Sequence, residues 1–266
     1  MKTLVALMLF FSCVVVQAAT FKSISPEPAQ IVTETPKVNV ALPASYKING
    51  TERYPVLYVL DGDLNAELVY RMLHRLHASS GAKEHIIVGI ASENRLRDFA
   101  PTVNLDPRGP VGEGGGGDRF LDYMENVLIP HIDGQYRTNE FNVIAGHSVA
   151  GLLVVHSFHS RPELFQAHMA FSPAVWWGAR ETAIATEEYV VSDEPIQNFL
   201  YMDIGSENGE MREVYDSLAK TLLRNRNLDL TLQFDKFDHV QHDLTMAAGL
   251  FNALTGLNKY QHSVGM

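Results

Sequence analysis

A chain of 266 residues, 46% hydrophobic and 20% charged, has an ordinary globular composition and enough length for one large α/β domain or two small ones. The formal net charge of −10, with no block of Lys or Arg, argues against nucleic acid as a partner, which would favour a basic stripe. That charge bears on solubility more than on the chemistry of any site.

In chain order, Met1-Lys2-Thr3 and the apolar stretch Leu4 to Val16, closed by Val16-Gln17-Ala18, read as a secretory signal peptide cleaved after Ala18. Residues 19–266 are then a single exported domain, periplasmic or secreted. The stretch is short for a bilayer span, so no stable membrane insertion is expected after cleavage; an uncleaved anchor is the competing reading. Cys13 is the sole cysteine, which leaves the mature chain without disulfide or thiol chemistry. Residues 23–36, with Pro26, Pro28 and Pro36, read as an extended arm or edge strand. Lys37–Leu42 alternates like a strand, and Val56–Leu60 and Ile86–Ile90 are continuous apolar runs, as in strands covered on both faces. Between these two runs, Leu68, Met72 and Leu76 mark a helix. A loop of about 25 residues follows Ile90, with Pro101, Pro107, Pro110 and the run Gly114–Gly117, long enough to suggest a functional role. Phe120 to Ile129 predicts a helix, Phe141–Ala145 a strand, and Leu152, Val155 and Phe158 a helix. Strands near His168–Phe171, at Phe199–Ile204 and at Leu228–Phe234, and helices over Glu210–Arg224 and Leu244–Leu254, complete the chain. Alternating strands and crossover helices predict a mainly parallel sheet with helices on both faces, and ligands beyond the carboxyl ends of its strands.

Gly146-His147-Ser148-Val149-Ala150-Gly151 joins the strand at Phe141–Ala145 to the next helix. This is the setting of a nucleophile elbow, whose strained turn needs small residues on both sides of the Ser. Gly146 and Ala150 supply them, although Ala150 departs from the full G-x-S-x-G pattern. A serine hydroxyl needs a base, most often an imidazole held by a carboxylate, and in this chain order the acid precedes the His. His239, just beyond the strand at Leu228–Phe234, is the expected base, with His242 its near competitor. Glu207, in the loop after Ile204, is the expected acid; Glu210 is second, Asp203 reads as part of the strand, and a dyad without an acid is open. The oxyanion donors should be the N–H groups of Val149 and of Asp63, in the turn Asp61-Gly62-Asp63. His156 and His159 read as packing residues, and His147 as shaping the turn. The cluster Asp238, His239, His242, Asp243 has some metal-ligand character, but its place matches that of a triad base, so no metal is expected. No glycine pattern for a phosphate or dinucleotide is present, and no cofactor is expected.

Beyond the elbow, Tyr54–Gly62, Asn94-Arg95-Leu96-Arg97-Asp98-Phe99-Ala100-Pro101-Thr102, Phe120–Pro130, Tyr136-Arg137-Thr138 and Phe171-Ser172-Pro173-Ala174-Val175-Trp176-Trp177 add up to a family resemblance. From about Val38 to Leu254 the chain resembles the putative-esterase branch of α/β-hydrolases, which holds trilactone-siderophore esterases, S-formylglutathione hydrolases and feruloyl esterases. The resemblance implies an α/β-hydrolase fold and cofactor-free hydrolysis of a small carboxylic ester or thioester, through an acyl-enzyme on Ser148 with His239 as base. Glu207 stands where relatives commonly have Asp. Arg95 and Arg97 are candidates for steering an anionic, siderophore-type ester, against the simpler reading that they pair with Asp98 and pin the long loop. Acyl transfer by the same triad, and a non-catalytic binding protein on the hydrolase fold, are the alternatives; oligomeric state is not readable.

Overall fold

The computed structural model describes residues 19–26, 32, 34–107, 109–192, 195–225 and 229–266. The expected signal peptide, residues 1–18, lies outside them. One eight-stranded sheet organises the chain: β1 (Lys22–Ile24), β2 (Lys37–Ala41), β3 (Tyr54–Leu60), β4 (Ile86–Ala91), β5 (Thr138–His147), β6 (Ala167–Phe171), β7 (Asn198–Ile204) and β8 (Leu230–Lys236), in the order β1-β2-β4-β3-β5-β6-β7-β8. The first two strands run antiparallel at one edge, and β4 through β8 are parallel. The edge strand β1 takes in only residues 23 and 24 of the Pro-punctuated arm; Pro26 and Pro36 lie outside the strands and Pro28 lies outside the described residues.

The apolar runs of β3 and β4 are buried throughout because their two faces feed separate cores. Val56, Tyr58 and Leu60 belong to one cluster and Leu57 and Val59 to the other, the period-two alternation of a strand. Helices α1 (Gly62–Ala78) and α8 (Thr245–Ser263) cover the second face, packing Val69, Leu73, Leu250 and Leu254 against it. The other face is covered by α3 (Gly117–Tyr123), which continues through a π-helical turn into α4 (Ile129–Gln135), and by α5 (Val149–Ser160), α6 (Glu181–Val191) and α7 (Gly209–Asn225).

Three elements depart from the sequence expectation. The long loop carries a short helix, α2 (Arg95–Phe99), whose first turn is capped by Asn94 Oδ1 accepting the Arg97 N–H at 3.0 Å. Helix α6 has no counterpart in the sequence reading, because its buried stripe of Thr182, Ala183, Thr186 and Val190 contains two threonines and little apolar contrast. Strand β8 runs two residues past Phe234, to Lys236. That extension moves every residue of the following turn relative to the sheet.

Candidate active site

Strand β5 delivers its last residues to the carboxyl edge of the sheet and turns sharply into α5. Ser148 occupies the turn with φ 60° and ψ −117°, a conformation rare for a residue with a side chain. Three backbone hydrogen bonds hold it there: Ser148 N–H to Phe171 C=O at 2.9 Å, and Ala174 N–H and Leu152 N–H to Ser148 C=O at 3.1 and 2.9 Å. The need for small neighbours is direct, since a Cβ on Gly146 would lie 2.7 Å from the Ala150 backbone.

The imidazole that meets this serine belongs to His242. Its Nε2 lies 2.9 Å from Ser148 Oγ and its Nδ1 lies 2.6 Å from Glu207 Oε1. With the carboxylate accepting from Nδ1–H, Nε2 is the acceptor for the serine hydroxyl. His239, the expected base, is exposed and its ring has no hydrogen bond or ion pair among the described residues. The correction follows from where β8 ends. Phe237 N–H bonds Ile204 C=O and Val240 N–H closes a turn on Phe237 C=O, so His239 is spent at an exposed turn position. The chain returns to the sheet edge only in the short 3-10 turn His242–Leu244, three residues later.

Glu207 follows β7 and its side chain is only 8% exposed. Burial pushes its carboxyl up, but the Ser172 hydroxyl and the His242 imidazole outweigh burial and hold it below the usual value. Glu210 points elsewhere, bonded to Arg180 at 2.8 and 3.1 Å. Asp203 is fully buried within β7, where its Oδ1 accepts the Ser172 N–H at 2.8 Å. Burial drives its carboxyl well above the usual range. Tyr201, with one hydroxyl proton, faces both Asp203 at 3.2 Å and Asp235 at 2.9 Å, and a protonated Asp203 resolves the shortage of donors. Asp203 thus supports the turn at Ser172 rather than facing His242.

The Val149 N–H is the first of α5 and the Asp63 N–H lies in the first turn of α1, positions whose donors have no intrahelical acceptor. The turn before α1 is pressed onto the sheet, for a Cβ on Gly62 would lie 2.4 Å from the backbone of Gly89. Asp61, at φ 50°, is gripped by Arg95 through two hydrogen bonds of 3.1 and 2.8 Å. Arg97 is committed likewise, to both oxygens of Asp98 at 2.7 and 2.9 Å and to Glu34 at 3.2 Å. Both guanidinium groups therefore have internal carboxylate partners, and Arg97 is bonded as in the loop-pinning reading. The loop is tied to the segment after β6 as well, Trp177 Nε1–H donating to Thr102 C=O at 2.8 Å. His156 bonds Asp118 at 2.9 Å and His159 bonds Thr186 at 3.0 Å, both away from Ser148. Among the described residues no three His, Cys, Asp or Glu side chains are grouped as a metal ion requires, and Asp238, His239, His242 and Asp243 do not converge.

Sequence reasoning gave no role to Ser172, whose buried hydroxyl helps hold the Glu207 carboxyl down, and it read His147 as shaping the turn without the contact of its Nε2, which lies 2.8 Å from His242 C=O. Only the second carried a signal, a polar ring placed beside the serine.

A mostly parallel sheet with helices on both faces, and a strained serine turn between β5 and α5, define an α/β-hydrolase fold. The family described as Putative esterase matches residues 29–252, and the chain belongs to it. A siderophore triacetylfusarinine C esterase of Aspergillus fumigatus is 30% identical over 159 residues, 53% of this chain and 52% of that protein, so the match spans about half of that relative. The ferri-bacillibactin esterase BesA of Bacillus subtilis is 30% identical over 194 residues, 62% of this chain and 67% of its own. A solved IroE-like serine hydrolase from Shewanella oneidensis superposes with a TM-score of 0.84 at 28% identity, covering 90% of this chain and 80% of that one.

Proposed function

We propose that the protein hydrolyses carboxylic esters with Ser148 as nucleophile, His242 as general base and Glu207 as the acid that orients it. The observation that carries this reading is the unbroken hydrogen-bonded chain from Ser148 Oγ through His242 to Glu207. Ser148 Oγ attacks the ester carbonyl as its proton passes to His242 Nε2, and Glu207 stabilises the imidazolium that forms. The tetrahedral oxyanion is met by the N–H groups of Val149 and Asp63. Collapse returns the proton from His242 to the departing alcohol and leaves an acyl group on Ser148. Water, deprotonated by the same imidazole, then releases the acid and restores the serine.

Relatives named for ester hydrolysis of siderophores make a siderophore-type ester the substrate class to test first. The paired states of Arg95 and Arg97 lend no support to anion steering by those two side chains. The reading includes action after export, supported by the signal-like residues 1–18; no described helix is long and apolar enough to cross a membrane. Purified protein should label at Ser148 with a fluorophosphonate and release acid and alcohol from aryl esters and from ferric trilactone siderophores. Absence of both labelling and turnover would overturn the reading. Mass analysis of the exported protein should find an N-terminus at Ala19.

A further inference from the structure

His242 has two separate attachments to the elbow. One is the bond from its ring to Ser148 Oγ, which the reaction must break and remake. The other runs through its backbone. His147, the last residue of β5, places Nε2 at 2.8 Å from the His242 carbonyl oxygen. A carbonyl only accepts, so His147 is protonated on Nε2 and donates. The two rings also pack, with centroids 4.6 Å apart and planes inclined at 46°.

We propose that His147 is a positioning residue that fixes the main chain of the base, so that the His242 ring can leave and return to Ser148 Oγ without the loop following it. The inference rests on the reading of His242 as the general base.

The surroundings of His242 explain why such a device is needed. The segment from Phe237 to Gln241 is half-buried to exposed, and the following 3-10 turn buries none of its residues. Apolar packing therefore does little to locate the base. Its main chain is held instead at carbonyl groups: Val240 C=O accepts from Ser206 N–H at 2.7 Å, on the acid's loop, and His242 C=O accepts from His147, on the nucleophile's strand. Thr245 Oγ1 bonds the same His242 carbonyl at 3.1 Å, but it comes from the start of α8 and ties the turn only to its own helix. Among the described residues, the His147 bond alone relates base to nucleophile through groups that carry no reacting atom. Its backbone extends the link, because the His147 carbonyl lies 3.5 Å from the Arg95 guanidinium that grips Asp61 in the oxyanion turn. Burial, then the neighbouring His242, lower the pKa of His147 and favour its neutral form. A neutral His147 donates its bond without placing a second positive charge against the imidazolium that forms on His242.

The test compares His147→Phe, which keeps a planar ring and removes the donor, with His147→Gln, which keeps an N–H near the place of Nε2. On a p-nitrophenyl ester, His147→Phe should lower kcat about 10- to 100-fold, the scale on which loss of reactive alignment is felt, with KM changed less than about threefold. His147→Gln should recover kcat to within about fivefold of wild type. A His147→Phe enzyme with wild-type kcat, or a Gln variant as impaired as Phe, overturns the proposal. The tautomer is read in the wild-type protein by histidine 15N NMR, whatever the variants' folding. An Nε2–H signal for His147 across the active pH range is expected, and an Nδ1–H tautomer overturns the proposal. His242→Ala separates the two ideas: retained activity there sinks the triad reading, whereas an inactive His242→Ala beside an unimpaired His147→Phe sinks only the positioning role.

Discussion

The elbow and the loop of His242 meet at the 2.9 Å contact of Ser148 with His242, with His147 bonded to the His242 carbonyl beside it, but they are built on opposite plans. Around Ser148 the backbone is over-determined: positive φ, three main-chain hydrogen bonds, and a helix pressed so close that Gly146 tolerates no side chain. Around His242 the chain is half-exposed, and a few hydrogen bonds from the neighbouring loop and strand set its course. Ser148 is held by local sterics and His242 by distant partners. Substitutions should therefore act locally and absolutely at the first, and through geometry at the second.

The largest effects test whether the contact is the reacting one. Ser148→Ala should fold, with an unchanged thermal midpoint, and lose on the order of 10⁶ in kcat. His242→Ala should fall as far, while His239→Ala, at an exposed turn, should stay within about threefold of wild type. Reversed outcomes for the two histidines, measured on one aryl ester, would return the base to His239. Glu207→Gln should cost about 10⁴, less than loss of either proton-transfer partner, because a carboxylate orients and stabilises the imidazole without touching the substrate. A silent Glu207→Gln would reduce the site to a Ser–His dyad.

This contrast also explains what could be read from the chain alone. The elbow was legible because its demands fall on consecutive residues: a β-branched strand, then Gly146, Ser148 and Ala150, then a helix. The sheet was legible because β3 and β4 are apolar on both faces. The imidazole that meets Ser148 was misplaced by three residues because strand ends are weakly encoded. Asp235 and Lys236 look like loop residues, yet Asp203–Asp235 and Ile204–Lys236 are paired in the sheet. The partners of Arg95 and Asp203 lie 34 and 31 positions away, at Asp61 and Ser172, beyond any local pattern.

A smaller effect distinguishes the sheet from its rim under acid. His85 and His168 are buried and His159 is half-buried, and burial lowers each to about 4 from 6.5. His85 Nδ1–H donates to Lys83 C=O at 3.0 Å while its Nε2 accepts from Gln261 Nε2 at 3.1 Å, the arrangement of a neutral ring, and His168 Nδ1–H donates to Asn198 Oδ1 at 2.9 Å. Between pH 6.5 and 4 the unfolded chain binds protons that the folded chain refuses, so stability is fully present above 6.5 and is lost as pH falls. Each fully engaged ring contributes about 1.4 kcal/mol per pH unit to that loss. Urea midpoints measured from pH 7.5 to 4.5 should therefore decline below 6.5, and a flat profile would mean that the rings already bind protons in the fold.

The smallest expected effect on catalysis is that of Arg97→Ala. Its guanidinium grips both oxygens of Asp98, itself only 5% exposed and bonded also to the Ser92 hydroxyl. Removing the arginine leaves a nearly buried carboxylate without its cation, which should cost about 1–3 kcal/mol and lower the thermal midpoint by several degrees. Partial exposure of Arg97 keeps the figure below that of a fully buried pair. Because both partners lie within the loop segment, a small neutral aryl ester and a large anionic ester should show the same change in KM. A selective rise in KM for the anionic ester, with an unchanged midpoint, would mean that Arg97 exchanges Asp98 for substrate and would make the long loop a binding element. An equal, small kinetic change with a lowered midpoint leaves that loop as scaffold, a third plan beside the strained elbow and the tethered loop of His242.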